Sequence, residues 1–427
     1  MNCINRLFHF IEQATSPFHT VGAVEEQLLE KGFERVHLRE RWDLKKGGKY
    51  FLNHHGSTVF AFVVGENFRP EDGFRIAAAH GDFPGFRLKP NAEMEAGGYL
   101  QLNTEVYGGA ILSTWLDRPL SVAGRVVLRS EDVFQPEVRL IDLKKPVLMI
   151  PNLAIHFNRE VNKGMELRKQ VEMLPIYGTA SEQMTKEAFL DCIAEKLGTK
   201  REDILDYELT IYNTDLPSFA GLADEFVSAP RLDNLTSAQA IVEGITEGGR
   251  KEGLNMMVVF DHEEIGSHSK QGAASTLLST LLEKIYVSLG FDSQDVSNAI
   301  EDSLFLSVDV SHAYHPNYAA KYDVTNRHII NQGFAIKQAS SQSYATDSEA
   351  VAIVQQICEK EGIAYKKFVN HSDVRGGSTI GAISSAMLPV RTVDMGVPLW
   401  AMHSARETMG VRDYESLVDF MTAYYRL

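Results

Sequence analysis

The chain's 427 residues, 44% of them hydrophobic, can bury at least one full core and, at this length, two unequal domains. Its 42 Lys and Arg against 57 Asp and Glu leave a formal charge of -15, which repels a phosphate backbone, so no nucleic-acid partner is expected. Cys3, Cys192 and Cys358 are odd in number and widely spaced, Met1 to Thr15 lacks the apolar core of a signal peptide, and no stretch approaches the about 20 apolar residues of a membrane span. A cytoplasmic protein with no membrane partner is the expectation.

In chain order, Ile4, Leu7, Phe8 and Ile11 fall at helical spacing, and a second helix is predicted from a Thr20 cap to Gly32. Val59 to Val64 and Arg75 to Ala79 read as buried strands. Residues 91–230 change texture, with strand-like Gly124 to Leu128, Glu137 to Leu143 and Val147 to Ile150, and are predicted to be an inserted β-rich domain. The flanking segments, 1–90 and 231–427, form one discontinuous domain. After Arg231 come a helix near Leu235 to Glu243, a strand Met256 to Phe260, a helix Ala273 to Leu289 and a strand Leu304 to Val308. A helix Ser348 to Lys360, a strand Ala364 to Val369, a Gly376-Gly377 loop and a helix Tyr414 to Tyr425 complete an α/β pattern.

Four apolar runs end at potential metal ligands: Ile76 to Ala79 before His80, Met256 to Phe260 before Asp261 to Glu264, Leu304 to Val308 before Asp309, and Pro398 to Met402 before His403. In an open α/β sheet, groups just beyond the carboxyl ends of strands meet at one place, and a mixed His and carboxylate set suits zinc, cobalt or manganese better than calcium. Each residue alone has a plainer reading. His80, followed two residues on by a possible orienter, Asp82, could be a hydrogen-bonded structural histidine. Glu263 and Glu264 could be a solvated acidic turn rather than a base beside a ligand. Asp233 could cap a helix rather than bridge metals, and His403 could cap the turn that follows it.

Taken in order, HGDFP, PNLAIHFNR, RLDNLTS, DHEEIGS, VDVSHAYHPNY and HSARE run from residue 80 to residue 407 and resemble the successive motifs of the aspartyl aminopeptidase family. Ser16-Pro17-Phe18-His19 is similar to the family's start, so the resemblance spans essentially the whole chain. It implies a mixed-sheet α/β/α metallopeptidase domain with an inserted dimerisation domain. It also implies two divalent metals, most simply zinc: one held by His80 and Asp309, the other by Glu264 and His403, with Asp233 bridging. Glu263 would be the general base, Asp82 would orient His80, and His312, Lys337 and Tyr344 would contact substrate. The family's counterpart of His156 reaches into a partner subunit's active site, which implies a homo-oligomer, dimers building to a dodecamer. The substrate would be a peptide with a free N-terminus. Gly81-Asp82-Phe83 stands where the family usually has Thr-Asp-Ser, which leaves acidic and neutral first residues both open.

Lys337 could pair with an acidic side chain at the substrate's first position, although a lone lysine at that spacing is more often a solvated surface residue. Rival readings keep the site but change the substrate, as a dinuclear amidohydrolase or deacylase would, or make the chain a cage-forming scaffold with a vestigial site. A glycosidase pair is disfavoured, because adjacent Glu263 and Glu264 cannot flank a sugar bond from opposite faces at about 5–9 Å.

Overall fold

A computed structural model describes residues 2–427, which divide into two compact units. The first comprises Met1–Asp82, Pro217–Met402 and Glu407–Leu427, and the second Phe83–Leu216 with His403–Arg406. The sequence expectation places its boundaries at 90/91 and 230/231.

The first unit is built on a nine-stranded mixed sheet in the order Glu34–Arg35, Lys49–His54, Thr58–Val64, Leu254–Phe260, Phe74–His80, Leu304–Val308, Arg391–Gly396, Phe334–Gln338, Tyr365–Val369. Side chains of a strand alternate between faces, and the central strands are apolar on both. Ala77, Ala79, Met257 and Val259 pack into one cluster with Leu7, Val21, Leu235 and Leu417 of the helices on that side. Ile76, Ala78, Met256 and Val258 pack into a second with Leu281, Ile285 and Ile380 of the helices on the other. Three layers, α/β/α, follow from that two-sided burial.

Helix Pro17–Glu30 starts earlier than predicted: Ser16 is its cap, its Oγ accepting the His19 N–H at 3.3 Å, because Pro17 suits the first helical position and needs no acceptor. Thr20 lies inside the helix, and its hydroxyl reaches the Gly81 carbonyl at 3.1 Å, beside the end of strand Phe74–His80. The run before His403 also differs from expectation. Pro398–Trp400 joins a separate five-stranded sheet, pairing with Glu407–Gly410 and Ser311–His312, because these partners satisfy its backbone away from the main sheet.

The second unit carries a six-stranded antiparallel sheet, ordered Glu137–Asp142, Leu120–Leu128, Ile204–Asn213, Gly85–Ala96, Tyr99–Tyr107, Ile176–Thr179, and the helix Ala188–Leu197. Phe86, Leu102, Trp115, Val122, Ile193 and Ile211 are among its core residues. Val147 to Ile150 forms only isolated bridges, Leu120 with Leu148 and Met149 with Ile176, rather than the expected strand. Among the described residues no helix is long and apolar enough to cross a membrane.

Candidate metal centre

Three neighbouring parallel strands deliver the site. Phe260 pairs in register with His80, and Leu306 of the next strand with Ala77, so the carboxyl ends of Leu254–Phe260, Phe74–His80 and Leu304–Val308 lie side by side. His80 closes its strand, Asp309 follows the second, and Glu263 and Glu264 occupy a tight turn just after the third. That turn is entered through His262 in the left-handed conformation (φ 64°) and left through Gly266 (φ 96°). His262 N–H donates to Asp261 Oδ1 at 2.8 Å, and its Nδ1 lies 2.8 Å from Ser269 Oγ. Asp233 comes from the start of helix Leu232–Glu247, where it and Asn234 are non-helical and a cis peptide joins them. Asn234 Nδ2 donates to the Val308 carbonyl at 2.9 Å, tying this helix start to the strand that presents Asp309.

These side chains converge on a buried imidazole. His80 Nε2 is 3.4 Å from Asp233 Oδ1, 3.6 Å from Asp309 Oδ1 and 3.9 Å from Glu263 Oε2. Its Nδ1 lies 3.0 Å from the Asp82 backbone carbonyl, an acceptor only, so Nδ1 carries the hydrogen and Nε2 faces the carboxylates. The Asp82 carboxylate is farther from that ring, at 3.5 Å, and besides supporting the charge on His80 it holds the glutamate turn. Its two oxygens accept the backbone N–H groups of Glu263, at 3.1 Å, and Glu264, at 3.2 Å.

Burial pushes the Glu263 carboxyl up to about 8, the charges of Asp309, Asp82 and Asp233 adding to the effect and His80 opposing it. Burial raises Glu264 too, with Asp233 the first of the charges that add to it. For His80 burial disfavours the charged form, but hydrogen bonds to Asp233, Asp309 and Asp82 prevail and hold the imidazolium well above its usual range. The cluster thus demands positive charge. His80, Asp233 and Glu264 each offer one ligand atom, all within 4.8 Å of one another, and a buried imidazole with carboxylates is a donor set that zinc accepts.

Lys337 is buried, its Nζ donating to the Val310 carbonyl at 3.1 Å and standing 5.0 Å from the centre of the Tyr344 ring. Burial opposes its charge, but Asp309, Tyr344, Asp394 and Asp233 raise its pKa, so it stays protonated. It is not the solvated lysine that its spacing also allowed. His312, in Ser311–His312, has its ring 6.0 Å from that of Phe368. His156 and His403 belong to the second unit. His156 is exposed, and His403 Nδ1 lies 3.2 Å from the Gly109 carbonyl.

Two residues given no role in the sequence reading support the site. Glu407, the last residue of the HSARE motif, accepts the Asp233 N–H at 3.0 Å and is buried. Asp394, buried, accepts the Ala345 N–H at 2.6 Å and the Thr379 hydroxyl, and sits opposite Lys337 in the strand register. A single acidic residue inside the otherwise uncharged stretch Thr392 to Trp400 was the available signal.

Residues 10–425 match the family described as Aminopeptidase I zinc metalloprotease (M18). The chain is similar to the probable M18 family aminopeptidase 2 of Clostridium novyi (strain NT), 45% identical over 425 residues that cover 99% of this chain and 98% of that protein. Among solved structures it is similar to a chain of the cryo-EM structure of the Ape4 and Nbr1 complex, with TM-score 0.95 and 32% identity over 99% of this chain and 85% of that one. It shares its fold with the S. cerevisiae mApe1 dodecamer, at TM-score 0.85 and 24% identity over 99% of this chain and 95% of that one.

Proposed function

The chain belongs to the M18 family of zinc metalloproteases and is a metal-dependent aminopeptidase, and from that premise we propose that it removes single N-terminal residues from peptides at the cluster around His80. The observation that carries the assignment to this cluster is the approach of Asp233 and Asp309 oxygens to 3.4 and 3.6 Å from one buried imidazole nitrogen.

Two divalent metals, zinc in preference to cobalt or manganese, would be held here, one by His80 and Asp309 and the other by Glu264 and His403, with Asp233 serving both. The set on His80, Asp233 and Glu264 rests on their mutual spacing, and the role of His403 on the motif resemblance. Bound zinc supplies Lewis acidity, polarising a carbonyl and acidifying water. Asp82 clamps the turn that carries Glu263, so the Glu263 carboxylate is aimed at the cluster without being fixed as a ligand. Glu263, beside the cluster and in its ionised form, would take the proton of the attacking water and pass it to the departing amine. Lys337 keeps donors beyond the one given to Val310 and would hold an acidic side chain at the substrate's first position, with Tyr344 and His312 alongside. Three free cysteines fit a cytoplasmic enzyme. The reading also makes the chain a homo-oligomer, dimers building to a dodecamer, with His156 serving a neighbouring subunit.

The test is chelator-stripped protein assayed on aminoacyl p-nitroanilides and short peptides before and after zinc, cobalt or manganese. Metal-restored release of single residues is expected, with Glu263→Gln keeping its zinc and losing about 100-fold to 10,000-fold in kcat. Cleavage of N-acyl amino acids without peptide release would instead make the site a deacylase, and unaltered zinc content in His403→Ala would remove that residue from the ligand set.

A further inference from the structure

A second feature of the first unit bears on how a peptide lies. A cavity of about 770 Å³ opens where strand Phe334–Gln338 ends, one residue past Lys337, and is lined by Gln338, Ser341, Ser343, Asn370, Arg375 and Gly376 among others. It adjoins the pair already described, since Asn370 Nδ2 in its wall is 3.5 Å from the Tyr344 hydroxyl. The volume falls in the range that holds a ligand of several residues rather than one side chain.

Its charge is opposite to that of the molecule. In a chain with a formal charge of -15, no Asp or Glu lines the cavity. Arg375 does line it, and that exposed guanidinium has neither an ion pair nor a hydrogen bond to any described residue. Asp373, two residues earlier, lies 4.0 Å from His371 Nδ1 instead. The loop is held by close packing, because a Cβ on Gly376 would stand 2.2 Å from Asn370 Nδ2. Ser340, Ser341 and Ser343 also line the cavity, the Ser341 hydroxyl donating to Ser343 Oγ at 3.2 Å, which leaves the Ser343 hydroxyl hydrogen for a bound anion.

We propose that this cavity receives the part of the peptide on the C-terminal side of the scissile bond and that Arg375 pairs there with a substrate carboxylate. This rests on the aminopeptidase reading: with the free amine and first residue at the acidic cluster and Lys337, the rest of the chain needs a roomy, non-acidic exit. The carboxylate is either the C-terminus of a short peptide or an acidic side chain after the cleaved bond. Guanidinium pairs with a carboxylate in two-point fashion, which a neutral amide cannot match.

The experiment uses the zinc-loaded full chain, wild type, Arg375→Gln and Arg375→Lys, with tripeptides sharing one first residue. One pair differs as C-terminal acid or amide, the other as Asp or Asn at the second position. Wild type is expected to favour the acid over the amide, or Asp over Asn, by about tenfold in kcat/KM, mainly through KM. That ratio should fall to near 1 in Arg375→Gln and be partly kept in Arg375→Lys. Ratios are read within each variant, so a general loss of activity cancels, and the pair that responds identifies the carboxylate. Equal ratios in wild type and Arg375→Gln overturn the proposal while leaving the aminopeptidase intact. Wild type that releases nothing, even from p-nitroanilides, brings down the aminopeptidase reading and this inference with it.

Discussion

At the scale of single residues, Asp82 carries two functions. Its backbone carbonyl sets the His80 tautomer, and its carboxylate accepts the N–H groups of both glutamates. An amide in its place has one acceptor oxygen and would point an NH2 at the other N–H. Asp82→Asn should therefore retain the His80 contact but loosen the glutamate turn, with a 10-fold to 100-fold loss in zinc affinity or kcat, about what supporting residues of metal ligands are worth. Zinc titration beside steady-state kinetics measures this, and unchanged values would reduce Asp82 to a packing residue. The charges make a pH prediction as well. Glu263 is raised to about 8 and Glu264 is raised too, so without metal the folded chain binds more protons than the unfolded chain, whose glutamates titrate near about 4.3. Stability of the metal-free protein should then fall as pH rises from there through about 8. Zinc, which competes with those protons, should raise Tm progressively more across the same window, and melting curves with and without zinc should diverge with pH. A constant gap would refute the linkage.

At the scale of elements, much of the candidate site was legible because three runs are apolar on both faces and stop at or just before a candidate ligand. Ile76 to Ala79, Met256 to Phe260 and Leu304 to Val308 are strands of one sheet, and their parallel register aligns their ends. The fourth run, Pro398 to Met402, has the same local look but pairs with Ser311–His312 and Glu407–Gly410. Partners about ten and ninety residues away leave no periodic mark in the run itself. Glu407 and Asp394 escaped for a related reason: each acts by accepting a backbone N–H from a segment distant in sequence. Another such contact is testable. Strand Arg391–Gly396 runs beside Leu304–Val308, and a Cβ on Gly396 would lie 2.0 Å from the Asp309 carbonyl oxygen. The backbone at Asp309 would have to retreat, so Gly396→Ala should lower bound zinc per chain, measured by elemental analysis, while far-ultraviolet circular dichroism stays that of a folded protein. Full zinc occupancy would show that the strand end can yield without disturbing metal binding, or that Asp309 takes no part in it.

At the scale of the whole molecule, the second unit presents a segment that makes little sense in an isolated chain. Leu153, Ile155 and Phe157, the last 81% exposed, flank exposed His156 in an irregular stretch, with exposed Met149 just before it. Scattered exposed apolar residues are ordinary, but four within nine positions are a local concentration that invites a covering partner. The sequence motif around His156 implied assembly, whereas the exposure of its neighbours depends on how the unit folds. If a second copy covers this segment, Leu153→Asp with Phe157→Asp should split the assembly and abolish activity together, because each site would lose the histidine supplied by its neighbour. His156→Ala should separate the two effects, keeping the molar mass by light scattering while kcat drops. The double variant leaves the buried core of the unit untouched, so its circular dichroism should match that of the wild type. A fully active monomer would sever catalysis from assembly and confine the chemistry to the residues around His80.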